Sequence, residues 1–263
     1  FPLEMGRYGL LPQQLVEWFD QLNKQGNRHD GTGSMTDKTD AIFRKGVLLS
    51  KQSYGEALIT VLDNPEIKNA SQLYRVIHDN IDIITYISLE NGRIMKMFID
   101  TSKTVYDKDS FQAFYDWFKT QKKYILHMNL SRLLKEIEDA GKVFNNLQHY
   151  HEVLREYIIY QSFMNFKQYL LNDRIAKEHL VLSDLVSNHL YKYVNVHRYN
   201  IVHLEYNADN EKIYFHCNVN RESPYNLNYP FVFLMKRHVF YEPLIHIKID
   251  EGSIVMTPKF TPT

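Results

Sequence analysis

The sequence predicts an α+β fold: N-terminal helices with a β-hairpin, a central helical segment, and a C-terminal, mainly antiparallel sheet. Three observations predict it. Apolar residues recur at spacings of three and four over Gln13–Lys24 and again through Asp109–Asn172, which gives a helix one buried face. The second of these stretches holds no proline and a single glycine, Gly141. Beyond Asn200 the pattern changes to short runs rich in Val, Ile, Phe and Tyr between turn residues, as strands require.

Taken in order, Phe1–Pro12 carries two glycines and two prolines and reads as a tight extended segment. Pro12 suits the first turn of a helix, where its missing N–H costs nothing. Leu15, Val16, Phe19 and Leu22 give that helix its apolar face. Gln25–Asp40 holds Gly26, Gly31 and Gly33 without an apolar period and reads as a loop. Its glycines do not make a phosphate cradle, because no Gly-Lys-Ser/Thr closes the loop and no apolar strand precedes it.

Ser50 or Ser53 caps a helix running to Leu62, and Asn69 or Ser71 starts a shorter one through Ile77. Between the apolar runs Ile84–Leu89 and Ile94–Phe98 stands Glu90-Asn91-Gly92-Arg93, and Asn-Gly in that setting predicts a two-residue hairpin. Asp109–Asn172 reads as three helices, broken near Gln121–Asn129 and Asn145–Gln148, with Trp117 in their core. Another helix is expected over Ser183–Tyr193, capped by Ser183. Strands are expected at Asn200–Tyr206, Lys212–Val219, Phe231–Met235 and Val239–Ile249.

Size and composition narrow the class. At 263 residues the chain can bury a sizeable core as one domain, with a division into 1–106 and 107–263 as the alternative. Hydrophobic residues make up 44%, and acidic and basic residues balance at 31 each, which excludes a disordered tail and a strongly basic nucleic-acid-coating protein. The lone Cys217 can form neither an internal disulfide nor a multi-cysteine zinc site and points to a reducing compartment. No apolar run reaches the roughly 18–20 residues that span a bilayer. The start at Phe1 reads as a domain boundary within a larger protein.

The motifs that carry chemistry are absent or misplaced. His149 and His151 stand two residues apart in a predicted helix, which turns their rings to opposite sides. His203, Glu205 and His216 fall on predicted neighbouring strands, where alternate residues share a face and opposed side chains come within about 5 Å. Polar residues on a solvated or partly buried face are the expectation there, with a metal or acid/base role as the alternative. Glu66-Ile-Lys68 has the spelling of a metal-nuclease strand motif but sits in a turn between helices. Cys217 reads as an inert strand residue. No Gly-x-Ser-x-Gly elbow or Gly-x-Gly-x-x-Gly loop occurs. The expectation is therefore no catalytic residue, no metal ligand and no cofactor. Two groups of basic residues offer phosphate contacts: Lys119, Lys122, Lys123, Arg132 and Lys135 around a helix end, and Lys236 with Arg237 at a predicted hairpin tip.

Several stretches, in this order, resemble large proteins encoded by nucleocytoplasmic large DNA viruses. They are Gly6–Pro12, Gly46–Tyr54, the Asn91-Gly92 turn, Val143–Gln148 with Tyr160–Leu170, and Tyr229–Lys236 followed by Phe240–Leu244. The family resembles the early-transcription machinery of such viruses, of the kind represented by the large subunit of the early transcription factor. The resemblance implies a non-catalytic DNA- or protein-binding module of a transcription-related viral protein. It implies other viral proteins as partners, DNA as a further one, and no membrane, with residence in the host cytoplasm at a viral factory, in the virion or in the nucleus. Two alternatives accompany it: a nuclease-like or inactivated enzyme fold with Asp82, Glu90 or Glu205 near a metal, and a virion core structural protein.

Overall fold

Strand β1 (Tyr8–Leu10) runs into Pro12, whose carbonyl accepts the amides of Leu15 and Val16 and so starts helix α1 (Gln13–Gly26). The computed structural model describes residues 2–26, 40–62, 64–99, 108–121, 135–140, 151–207, 209–217, 225–250 and 252–261. Most of the loop expected over Gln25–Asp40 lies outside these, as do Lys122, Lys123, Arg132 and His149. The chain forms two units, one from residues 1–80 and 170–263 and the other from residues 81–169. The second unit is thus inserted within the first, a partition different from a division at 106/107.

The first unit is built on a seven-stranded sheet. Its strands are β1, β2 (Asp40–Lys45), β3 (Asn200–Asn207), β4 (Lys212–Cys217), β5 (Phe231–Arg237), β6 (Phe240–Asp250) and β7 (Ser253–Thr257), in the order β1-β2-β6-β5-β3-β4 with β7 also on β6. Every pairing is antiparallel except β3 with β5. The expected antiparallel C-terminal sheet is present, and its four expected strands correspond to β3–β6. The N-terminal antiparallel pair is β1 with β2, in which Tyr8 faces Lys45. Pro243 stands at the end of the β5–β6 ladder, one residue before the β2–β6 ladder begins, where a missing N–H is tolerated.

Strand alternation gives the sheet two different faces. Val202, Leu204, Phe233, Met235 and Leu244 point to one and are covered by Leu15 and Phe19 of α1, with Phe19 edge-on to Phe233 at 5.4 Å. The opposite face is covered by helices α2 (Ser53–Leu62), where Tyr54 packs on Tyr241 at 4.8 Å, and α8 (His179–Asn188). Helix α3 (Ala70–Asn80) lies against α2, with Ala70 and Tyr74 crowding Gly55.

The inserted unit is helical: α4 (Ile83–Ser88), α5 (Ile94–Phe98), α6 (Lys108–Thr120), the helical residues 135–140 and α7 (His151–Leu171). Phe111, Phe114, Phe118, Ile137, Val153 and Tyr157 form its core, and Trp117 packs against that core as expected. The hairpin expected across Asn91-Gly92 is not there. Asp82 caps α4 by accepting the Thr85 amide at 2.7 Å, and Ile83, Tyr86 and Leu89 bury a face at helical spacing. Glu90, Asn91 and Gly92 do take positive φ, at 52°, 53° and 82°, but in a turn between two helices. The apolar run fits both periods, and the cap decides for helix. No helix among the described residues is long and apolar enough to cross a membrane.

Candidate metal centre

The sheet face beneath α2 and α8 gathers a cluster of polar side chains at one end. His203 and Glu205 alternate on β3, His216 faces His203 across β4, and Lys236 faces Glu205 across β5. Tyr241 faces Lys236 across β6. The register therefore gathers five polar residues from four strands on one side of the sheet. Helix α8 adds the sixth and seventh, Glu178 at its N-cap and His179 in its first turn.

One ligand atom from each of His179, Glu205 and His216 lies within 4.8 Å of the others. His216 Nε2 is 3.0 Å from Glu205 Oε2, and the rings of His179 and His216 are 4.7 Å apart. Glu205 and His216 sit at the solvent edge, with side chains 34% and 36% exposed, whereas His179 is 2% exposed. The His179 backbone N–H donates to Tyr241 Oη at 3.1 Å, and His179 Nδ1 lies 2.9 Å from the same oxygen. His179 Nε2 is buried without a hydrogen-bond partner. That is an uncommon condition for a buried polar atom, and it leaves Nε2 as the nitrogen open to a ligand.

Burial is the main reason that the His179 imidazole is held neutral, its pKa pushed down to about 4. His216 and Lys236 push in the same direction, and Glu205 opposes them. A neutral imidazole whose second nitrogen is anchored is the form that ligates a metal. In the tautomer that carries its proton on Nδ1, His179 donates to Tyr241 Oη through both the backbone N–H and Nδ1–H, and Nε2 keeps the free lone pair that a ligand needs.

His203, the residue expected to share a face with Glu205 and His216, takes a different part. It is 1% exposed, its Nε2 lies 3.0 Å from Tyr54 Oη, and its ring stacks on that of His179 at 4.9 Å. Burial first, and then His179 and His216, depress its pKa well below the usual histidine value. His203 backs the cluster, and His179 supplies the third ligand. Glu205 and His216 lie on a partly buried face, as expected, whereas His179 comes from α8, which begins at His179 and not at Ser183. Glu178 caps α8 without a side-chain bond to the helix, so the sequence carries no cap signal at that end.

The residues named for phosphate contact are engaged differently from one another. Lys236, expected at a hairpin tip, is 8% exposed, with Nζ 3.4 Å from Glu205 Oε1 and 3.6 Å from Glu178 Oε2. The tip itself is formed by His238 and Val239. Arg237 lies over the Tyr206 ring at 5.1 Å. In the helical unit, Lys119 pairs with Asp116 at 2.8 Å and covers the Tyr115 ring at 4.1 Å, and Lys135 is exposed. Of the acids weighed as metal neighbours, Asp82 caps α4 and Glu90 lies 3.5 Å from Arg93, while Glu205 joins the cluster. Glu66 lies exposed in the turn after α2.

Two imidazoles and a carboxylate match the donor set of a zinc site that keeps a fourth position for water. Bonds of about 2.0–2.1 Å to a tetrahedral ion set ligand atoms about 3.3 Å apart, close to the His216–Glu205 separation. No protein-family model, curated protein or solved structure matches the chain.

Proposed function

We propose that the chain is a divalent-metal-binding domain, with His179, Glu205 and His216 as ligands of a zinc-type site. The observation that carries this reading is the buried, unpartnered His179 Nε2, on a residue that brings a ligand atom within 4.8 Å of a histidine and a carboxylate already in contact with each other. Leaving such a nitrogen unsatisfied costs about 1–3 kcal/mol, a cost that a bound ion removes. Of the alternatives drawn from the sequence, the cluster favours the nuclease-like or inactivated enzyme fold with Glu205 near a metal. For the DNA-binding reading, Lys236 and Lys119 are paired with carboxylates and Lys135 is exposed. Tyr54, Lys236 and Tyr241 all belong to stretches that resemble large-DNA-virus proteins, so the reading sets the metal in that context.

The test is calorimetric titration of the chelator-stripped protein with Zn2+, repeated on Glu205→Gln and His216→Ala, whose side chains are partly exposed. One saturable site, weakened at least tenfold in each variant, supports the reading. Absence of saturable binding, or binding in both variants as tight as in the unaltered chain, overturns it.

A further inference from the structure

We infer that Lys236 is the resident counter-ion of this site, competing with a divalent ion for Glu205 and so setting how tightly the ion is held. The inference rests on the metal-binding reading and adds to it what controls affinity. Parallel pairing of β3 with β5 places Glu205 and Lys236 side by side on one face, and the ammonium, on an 11% exposed side chain, reaches Glu205 Oε1 at 3.4 Å. The other oxygen of the same carboxylate faces His216 at 3.0 Å. An ion between His216 and Glu205 Oε2 therefore draws on the same negative charge that neutralises Lys236.

Glu178 sits on the far side of Lys236, with Oε2 at 3.6 Å. Both distances exceed the roughly 2.7–2.9 Å of a tight charge-assisted hydrogen bond, so the ammonium is shared between two carboxylates and clamped by neither. A buried ammonium needs one of them. When an ion takes Glu205, Glu178 is the group left to hold Lys236, and it makes the exchange possible. Removing the ammonium strengthens metal binding, and removing Glu178 weakens it by pressing Lys236 onto Glu205.

Zn2+ affinity is measured by competition with a chromophoric chelator for the unaltered chain, Lys236→Met, Lys236→Arg, Glu178→Gln and the Lys236→Met/Glu178→Gln double variant. Lys236→Met binds roughly tenfold tighter, as expected for one charge interaction near a protein surface, and Lys236→Arg stays near the unaltered value. Glu178→Gln binds several-fold more weakly, and that loss disappears on the Lys236→Met background, because Glu178 acts through Lys236. If Lys236→Met does not fold, Lys236→Gln takes its place in the cycle. Lys236→Met binding no tighter, or an equal Glu178→Gln loss on both backgrounds, overturns the counter-ion role while leaving the site. Absence of saturable binding in the unaltered chain overturns the metal reading itself.

Discussion

Tyr241 Oη meets both the backbone nitrogen and the ring Nδ1 of His179, at 3.1 and 2.9 Å, and so ties the first turn of α8 to β6 through a single oxygen. One hydroxyl both starts the helix and orients the ring, in place of the missing side-chain cap. Structure and candidate chemistry thus share one atom.

Tyr241→Phe separates the two roles. The ring keeps its packing on Tyr54 at 4.8 Å, but the His179 amide and Nδ1 lose their partner in a buried place. The expected cost is about 1–3 kcal/mol, read as a lower urea midpoint with an unchanged slope. Metal affinity falls about 10–100-fold, the usual effect of losing the hydrogen bond behind a ligating histidine. A loss of stability with full metal affinity makes Tyr241 a structural residue alone.

How far the molecule is legible in its sequence can be judged from these residues. The strands β3–β6 announce themselves by β-rich runs between turn residues, α1 and α6 by apolar spacings of three and four, and α2 by its serine cap, and the pairing of His203 with His216 follows from strand register. His179 could not be found that way. Its helix starts four residues before the serine that looked like a cap, and its approach to Glu205 is made by packing between layers. Asn91-Gly92 shows the converse. The positive φ values are real, but an aspartate nine residues before Asn91, capping α4, determines that helices surround them.

Gly55 in α2 is a packing requirement. A Cβ there falls 2.7 Å from Ala70 Cβ and 2.7 Å from Tyr74 Oη at the start of α3. Alanine gains up to about 1 kcal/mol in helix propensity, and the overlap costs typically 1–3 kcal/mol. Gly55→Ala is therefore expected to be neutral to destabilising, and Gly55→Val clearly destabilising, in denaturant melts. A stabilised Gly55→Ala protein contradicts the close approach of α2 and α3.

Arg44 and Glu242 form the buried ion pair of the other sheet face, at 2.5 Å with side chains 9% and 1% exposed. Glu242 also receives the Leu3 amide, and Arg44 Nε donates to the Leu10 carbonyl, so the pair fastens the opening segment to β2 and β6. Arg44→Met takes the 2.5 Å ion partner from the buried Glu242 carboxylate, leaves Arg237 as the remaining nearby cation, and costs up to about 3–5 kcal/mol. Arg44→Met with Glu242→Leu recovers much of this, since neither charge then remains. A double variant no more stable than Arg44→Met refutes the account.

Alkaline pH probes Tyr86, one of the buried tyrosines of the helical unit. Ser162 Oγ donates to Met95 O at 2.8 Å, which leaves Tyr86 Oη as the donor to Ser162 at 2.5 Å. Burial pushes the Tyr86 pKa from 10.0 up to about 12, against a smaller opposing effect of Ser162. Between these values the unfolded chain releases the phenolic proton and the folded chain keeps it, so folded stability falls as pH rises. The contribution is intact below pH 10 and reaches a loss of ~2–3 kcal/mol near pH 12. Tyr86→Phe removes the titrating group and flattens this part of the profile. Its cost at neutral pH stays near 1 kcal/mol, because Ser162 keeps Met95 as acceptor. Denaturant midpoints of both proteins from pH 8 to 12 provide the comparison, and parallel profiles reject the assignment to Tyr86.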